Sequence, residues 1–353
     1  MRAFRLLMLL LAAASAGAQS PESTPDPNQV VTDTVILDEV LVTGEQPGPG
    51  LWKVSKGDHV LWIMGIYAPL PKQMTWNSSE VETRIAASQE YLAPGIVRSD
   101  YDVGFFQAIG LFPSMLKAGN IPGGATLHDI LPADVYAKWQ LLQQKYMPHD
   151  TVERMRPPFA ATSLRNNARI RSGIGGDAGV REALKKLAKK HKLKLTALPA
   201  HEVEIKIKGG RDILKKFSQT PIAGVECLTK NVHQLESDLD TLRDRANAWA
   251  TGDVETLHRL RDRKLAPDCA SGLINTLIAG GFERGTAMEE VFQQFEKDLL
   301  EASQDQSRRW LEATESALAR NTSTFAVMGI DSLLRPDGYL QRMRERGYQV
   351  EEP

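Results

Sequence analysis

Short β-prone apolar runs alternate with segments of helical period from Leu51 to the end of the chain, and this alternation constrains the fold more than any other feature. Leu51-Trp52-Lys53-Val54 and Val60-Leu61-Trp62-Ile63-Met64 flank Lys56-Gly57-Asp58, which predicts a β-hairpin. Ser79 to Tyr91 carries Val81, Ile85, Ala86 and Tyr91 at helical spacing. Val180 to His191 sets Ala183, Leu184, Leu187 and Ala188 against Arg181, Lys185, Lys186, Lys189 and Lys190, an amphipathic helix with a basic outer face. Leu193 to Leu198 predicts the next strand, and Glu202 to Lys208 alternates with the period of a half-buried strand. Asn231–Trp249 and Asp253–Arg263 predict two helices joined at Thr251-Gly252. Met288, Val291, Phe292, Phe295 and Leu299 mark one face of a long helix running towards Trp310. Strand Thr324–Met328, helix Tyr339–Arg346 and strand Tyr348–Glu351 close the chain. Such alternation predicts an α/β fold, a mixed central sheet with flanking helices and a helical insertion in the second half. A chain of 353 residues has room for two domains. The unbroken alternation reads instead as one large body at 51–353.

Two segments of another kind precede that body. Arg2 and Arg5 lead into the apolar run Leu6 to Ala14, and Ala16-Gly17-Ala18 supplies a small-x-small cleavage pattern, so residues 1–18 read as an export signal. The run is shorter than the ~20 residues that a membrane span needs, and no second run follows. No transmembrane segment is therefore expected in the mature chain, which should be periplasmic or secreted. Residues 19–50 open with Pro21, Pro25 and Pro27 and close with Gly44, Pro47, Gly48, Pro49 and Gly50, the composition of an extended linker. Within it, Thr34 to Gly44 is β-prone and apolar with one acidic pair, Asp38-Glu39. This stretch resembles the TonB box of outer-membrane receptors, a strand donated to a periplasmic partner through backbone hydrogen bonds. It would equally suit a strand added to the protein's own sheet. Val35 to Val42 is accordingly a candidate contact for an envelope partner protein.

Composition removes several functions. With 43 Lys+Arg against 44 Asp+Glu, the formal net charge is −1, so nucleic acid is not an expected partner on bulk charge. Two cysteines exclude a disulfide-dense scaffold and a Cys-rich zinc module. In an exported chain, Cys227 and Cys269 read either as one structural disulfide, worth about 4 kcal/mol in the chain-entropy view, or as a reactive thiol or metal ligand. The sequence has no G-x-S-x-G elbow and no Walker A loop. Gly173 to Gly179 fits a dinucleotide loop only loosely, and Arg165 to Ser172 before it does not read as a strand, so it reads as a plain loop ahead of a helix. His201-Glu202-Val203-Glu204-Ile205 begins like H-E-x-x-H, but Ile205 stands at the second His position. The histidines His59, His128, His149, His191, His201, His233 and His258 are scattered without a close pair.

Four segments nevertheless carry a pattern together. They are Leu61-Trp62-Ile63-Met64-Gly65, Thr126 to Pro132, Arg156-Pro157-Pro158-Phe159, and an ending from Phe325-Ala326-Val327-Met328-Gly329 through Pro336-Asp337-Gly338-Tyr339-Leu340 to Arg346-Gly347-Tyr348-Gln349-Val350. In this order they resemble the TraB/GumN family, whose animal relatives are the Tiki metalloproteases. The resemblance runs from Leu51 to the end of the chain. It implies a site made of two G-x-x-H histidines and of glutamates at strand ends, binding a divalent metal with one position open to water.

The sequence departs from that site at each position. The first motif reads Gly65-Ile66-Tyr67-Ala68 and the second Gly329-Ile330-Asp331-Ser332. The Glu after the first helix falls near Pro94, with Glu90 close by, and the Glu after the middle strand falls at Pro199. Ala68, Pro94 and Pro199 have no ligating side chain, and Ser332 is a poor ligand. No catalytic residue, metal or cofactor is therefore expected. The expectation is a non-catalytic binding or scaffold protein of the cell envelope, with a former cleft around Gly65, Tyr67, Gly329 and Asp331 open to a peptide or glycan. One alternative is a metal-dependent hydrolase or peptidase whose site has moved to residues such as His59, Glu90, His201 and Glu202. The GumN name by itself suggests another, an accessory role in polysaccharide biosynthesis.

Overall fold

The computed structural model describes residues 47–95, 97–101, 113–114, 117–205, 215, 218–219, 222–269 and 287–353. The expected export signal (1–18), the linker as far as 46 with Val35 to Val42, and the expected strand end Lys206–Lys208 lie outside the described residues. Gly48 and Pro49, at the end of the expected linker, are already buried. Gly48 has φ +86, and a Cβ there would collide with the carbonyl oxygen of Asn77, so only glycine fits.

Strands β1 (Leu51–Lys56) and β2 (His59–Ile66) form the expected hairpin, with Leu51 opposite Met64 and Lys56 opposite His59. Helix α1 (Ser79–Ala86) ends before Tyr91, and the chain passes into β3 (Glu90–Ala93). The backbone changes partner there. Ser88 N–H bonds back to Ile85 O, whereas Gln89 N–H bonds across to Ser323 O. Tyr91 then stacks on Phe325 inside the sheet, which outweighs its helical spacing in the sequence. Next come β4 (Val97–Tyr101), α2 (Leu127–Ile130), α3 (Ala133–Tyr146), α4 (Pro157–Arg171), α5 (Val180–Lys190), β5 (Lys194–Ala197) and β6 (His201–Ile205). The chain continues with α6 (Val225–Ala250), α7 (Val254–Arg261), α8 (Ala287–Arg320), β7 (Ser323–Gly329), α9 (Ile330–Leu334), α10 (Tyr339–Glu345) and β8 (Gln349–Glu351). The loop at Gly173 to Gly179 pairs with the segment at Leu70–Lys72 and leads into α5, as read from the sequence.

Six strands form a mixed sheet in the order β5-β3-β7-β2-β1-β8. The first four are mutually parallel, β1 is antiparallel to β2, and β8 is antiparallel to β1. Thr324 to Met328 of β7 are all buried, as expected for a parallel strand covered on both faces. A separate parallel pair, β4 with β6, continues from β3 and β5.

Two apolar cores result. One surrounds the sheet and takes in Leu61, Ile63, Leu92 and Phe325 with side chains of α1, α5, α8 and α10. The other is helical, with Trp139, Leu142, Leu164, Leu228 and Leu235 from α3, α4 and α6. The helical part thus begins well before the second half of the chain. Its first helices were hidden in the sequence because Leu141 and Ile170 are exposed and blur the apolar stripe. Cys227 and Cys269 form a disulfide beside this second core, and buried Asn231 donates to the carbonyls of Cys227 and Pro267. Among the described residues no helix is long and apolar enough to cross a membrane.

Candidate functional site

The parallel strands point their C-terminal ends along one edge of the sheet, where open α/β sheets hold their ligands. Ala68 follows β2, Pro94 follows β3, Pro199 follows β5, and Ser332 lies just after β7. The register sets Gly65 beside Met328 and Ile66 beside Gly329, so the two degenerate motifs leave neighbouring strands side by side. Positions far apart in sequence therefore converge on this edge.

Packing explains the first glycine. A Cβ on Gly65 would lie 2.9 Å from Ile330 Cγ1 and 3.1 Å from Trp52 Cζ3, tighter than either neighbour accepts without moving. Its carbonyl accepts a 2.7 Å hydrogen bond from the buried Trp249 Nε1. Tyr67 is buried beneath the edge, while Ala68 and Asp331 are exposed. Burial pushes the Tyr67 hydroxyl up to about 12 against the pull of nearby Arg245, with Asp331 adding to the rise. Tyr67 therefore stays neutral and is not a ready base.

A cavity of about 240 Å³ opens at this edge, lined by Gly95, Gln306, Ser332, Arg335, Tyr339 and Arg342 among others. Gln306 is 7% exposed and ties α8 to the end of β5, its Nε2 donating to Pro199 O at 2.9 Å. That bond orients the amide and leaves Oε1 buried and without a hydrogen-bond partner among the described residues. Oε1 lies against Gly95, where any Cβ would collide with it. The cavity thus touches the positions of Pro94, Pro199 and Ser332 through Gly95, Gln306 and Ser332 itself.

The TraB/PrgY/gumN family model matches residues 50–352. The chain belongs to the TraB/PrgY/gumN family. Comparison with curated proteins and with solved structures gives no match.

The divalent metal implied by the TraB/GumN resemblance does not fit this TraB/PrgY/gumN chain. Three of the four converging positions carry Ala or Pro, which have no donor atom in the side chain. Among the described residues no group of three or more His, Cys, Asp or Glu is placed to hold a metal ion. The relocated set considered above does not assemble either. His59 and Glu90 begin their strands at the opposite edge, where His59 Nδ1 pairs with Asn321 O at 2.8 Å. His201 lies past Pro199 and pairs with Asp305 at 3.2 Å, while Glu202 is exposed.

Ser332 lines this cavity, whereas Gly65, Tyr67, Gly329 and Asp331 are not among its lining residues. Gln306 was not legible as a site residue, because a lone Gln within a long amphipathic helix carries no sequence signal. Tyr339 lies in the recognised ending Pro336-Asp337-Gly338-Tyr339-Leu340, and that segment was the one available hint.

Proposed function

We propose that this TraB/PrgY/gumN protein is an exported, non-catalytic binding protein of the cell envelope, with its ligand site at the C-terminal edge of the sheet. The observation that carries this reading is the cavity at Ser332, with Gln306 in its lining and Gln306 Oε1 unmet among the described residues. Buried polar atoms in native proteins nearly always have partners, so one left open beside a cavity suits a bound molecule that supplies the partner. The open atom is an acceptor, which calls for an N–H or O–H donor. Arg342 makes no ion pair among the described residues and can meet an acceptor of the same ligand. A peptide backbone or a glycan offers both kinds of group. The replacement of the ligating side chains by Ala68, Pro94 and Pro199 supports a role without metal chemistry, and residues 1–18 support export.

Elemental analysis of the purified mature chain, combined with a hydrolytic assay, tests the non-catalytic part. The expected outcome is no stoichiometric zinc or manganese and no chelator-sensitive hydrolysis. One tightly bound metal per chain, with activity lost to a chelator, would overturn the reading. N-terminal sequencing of protein recovered from the periplasm should begin at Gln19. Pull-down with and without residues 19–50 then shows whether Val35 to Val42 engages an envelope partner.

A further inference from the structure

A second cavity lies behind the motif turn, and its chemistry differs from that at Ser332. It measures about 150 Å³ and is bounded by Trp52 of β1, His258 and Arg261 of α7, Arg335 of the α9–α10 loop, and Arg344 of α10. Three guanidiniums and an imidazole line it against a single carboxylate, Glu352. Arg344 pairs with Glu352, Arg335 with Asp337 and Arg261 with Asp262, at 2.8–3.0 Å. The Arg344 and Arg335 pairs are exposed to solvent and weak enough to rearrange around a stronger anion, whereas Arg261 is half-buried and is also held by the Leu334 carbonyl.

Trp52 gives the second, independent indication. It is 1% exposed, and its indole Nε1 has no hydrogen-bond partner among the described residues. The Cζ3 corner of the ring lies against Gly65, and this corner is diagonally across the indole from Nε1. The N–H edge is therefore turned away from β2. A buried indole N–H can only donate, so an acceptor must satisfy it. Apart from Glu352, the charged groups that line the cavity are guanidiniums, so a cation would be repelled and an apolar ligand would leave them unmet. A planar carboxylate has two oxygens for donors that come from four separate elements. A tetrahedral oxyanion has oxygens facing each way, and guanidinium forks match its edges.

We infer that the cavity bounded by Trp52, His258, Arg261, Arg335 and Arg344 binds a phosphate group, either inorganic phosphate or the end of a small phosphate monoester. The inference stands whether or not the Ser332 cavity takes a ligand.

Calorimetric titration of the mature chain at constant ionic strength, with inorganic phosphate, glycerol phosphate and acetate as probes, tests it. One saturable site per chain is expected for phosphate or for the monoester, with acetate much weaker. Binding of inorganic phosphate assigns the free ion, and binding of the monoester alone assigns an esterified ligand. Trp52→Phe, which keeps a ring and removes the N–H, should weaken the binding about tenfold. Its midpoint of thermal unfolding without phosphate should fall, because the smaller ring leaves a cavity at a fully buried position. Arg344→Gln, an exposed change, should weaken binding at least as much and keeps the test open if Trp52→Phe fails to fold. Arg308→Gln, on the outer face of α8, should change nothing. Acetate binding as tightly as phosphate, no saturable binding of either phosphate probe, or full affinity in Arg344→Gln would overturn the inference.

Discussion

The two ends of the parallel strands treat buried polar groups in opposite ways. At the N-terminal end, Glu90 is 2% exposed and fully engaged, with Thr196 and Lys194 on Oε1 and Asn321 and Arg320 on Oε2. Beside it, Gln89 Oε1 accepts the backbone N–H and the hydroxyl of Thr322. At the C-terminal end, Gln306 Oε1 and the indole N–H groups of Trp52 and Trp310 have no partner among the described residues. Trp310 packs edge-on against Tyr339, which lines the Ser332 cavity. The first end carries a buried charge with both carboxylate oxygens engaged, and the open group beside it among the described residues is Arg84 Nε, whose guanidinium stacks on Trp62. The second carries neutral groups and leaves them open beside cavities. In this chain the two cavities open where neutral groups lack partners, not where the buried carboxylate is held.

The largest test of that contrast is Glu90→Ala. It removes a carboxylate shared by four donors and should cost about 2–4 kcal/mol in denaturant unfolding. The pH dependence should follow from the same residue. Burial alone would raise the Glu90 carboxyl, but the bonds from Thr196, Asn321, Lys194 and Arg320 outweigh it and hold the pKa at about 2, against 4.5 for a free glutamate. A depressed carboxyl stabilises the fold above its unfolded value. Its contribution, about 3 kcal/mol, is complete above pH ~4.5 and fades as the pH falls towards ~2. Glu90→Gln should flatten the stability curve across that window, and an unchanged curve would count against the network.

At the other end, Gly65→Ala should cost about 1–3 kcal/mol, because Ile330 and Trp52 must both give way to the new Cβ. Smallest of all should be Gln306→Met. It removes an unmet acceptor and one bond to the exposed Pro199, whose carbonyl water can serve, so unfolding should shift by less than about 1 kcal/mol. A Gln306 variant as damaging as the Glu90 variant would erase the difference between the two ends.

Much of the fold was legible. The hairpin, α5, α8, α10 and β7 all lie where apolar period and turn residues put them. Two features were not. Tyr91 fits a helix by spacing and a strand by packing, and the contact with Phe325 that decides between them is far away in sequence. Glu90 lies near Pro94 in sequence, yet the length of β3 puts it at the other end of the sheet, where it acts as an architectural anchor. The motif positions themselves could be marked from the family resemblance. The cavities beside them could not, since an open hydrogen bond depends on neighbours that no spacing rule brings together.

Helix α6 has a thermodynamic consequence. Its residues from Leu228 to Leu242 belong to the helical core, and those from Ala246 to Ala250 belong to the core around the sheet. The disulfide anchors one end of this continuous rod, while Trp249 grips the Gly65 carbonyl near the other. Neither core can melt while the other keeps its share of the helix intact. A chain long enough for two domains should therefore unfold in one cooperative step, with a calorimetric enthalpy equal to the van't Hoff value.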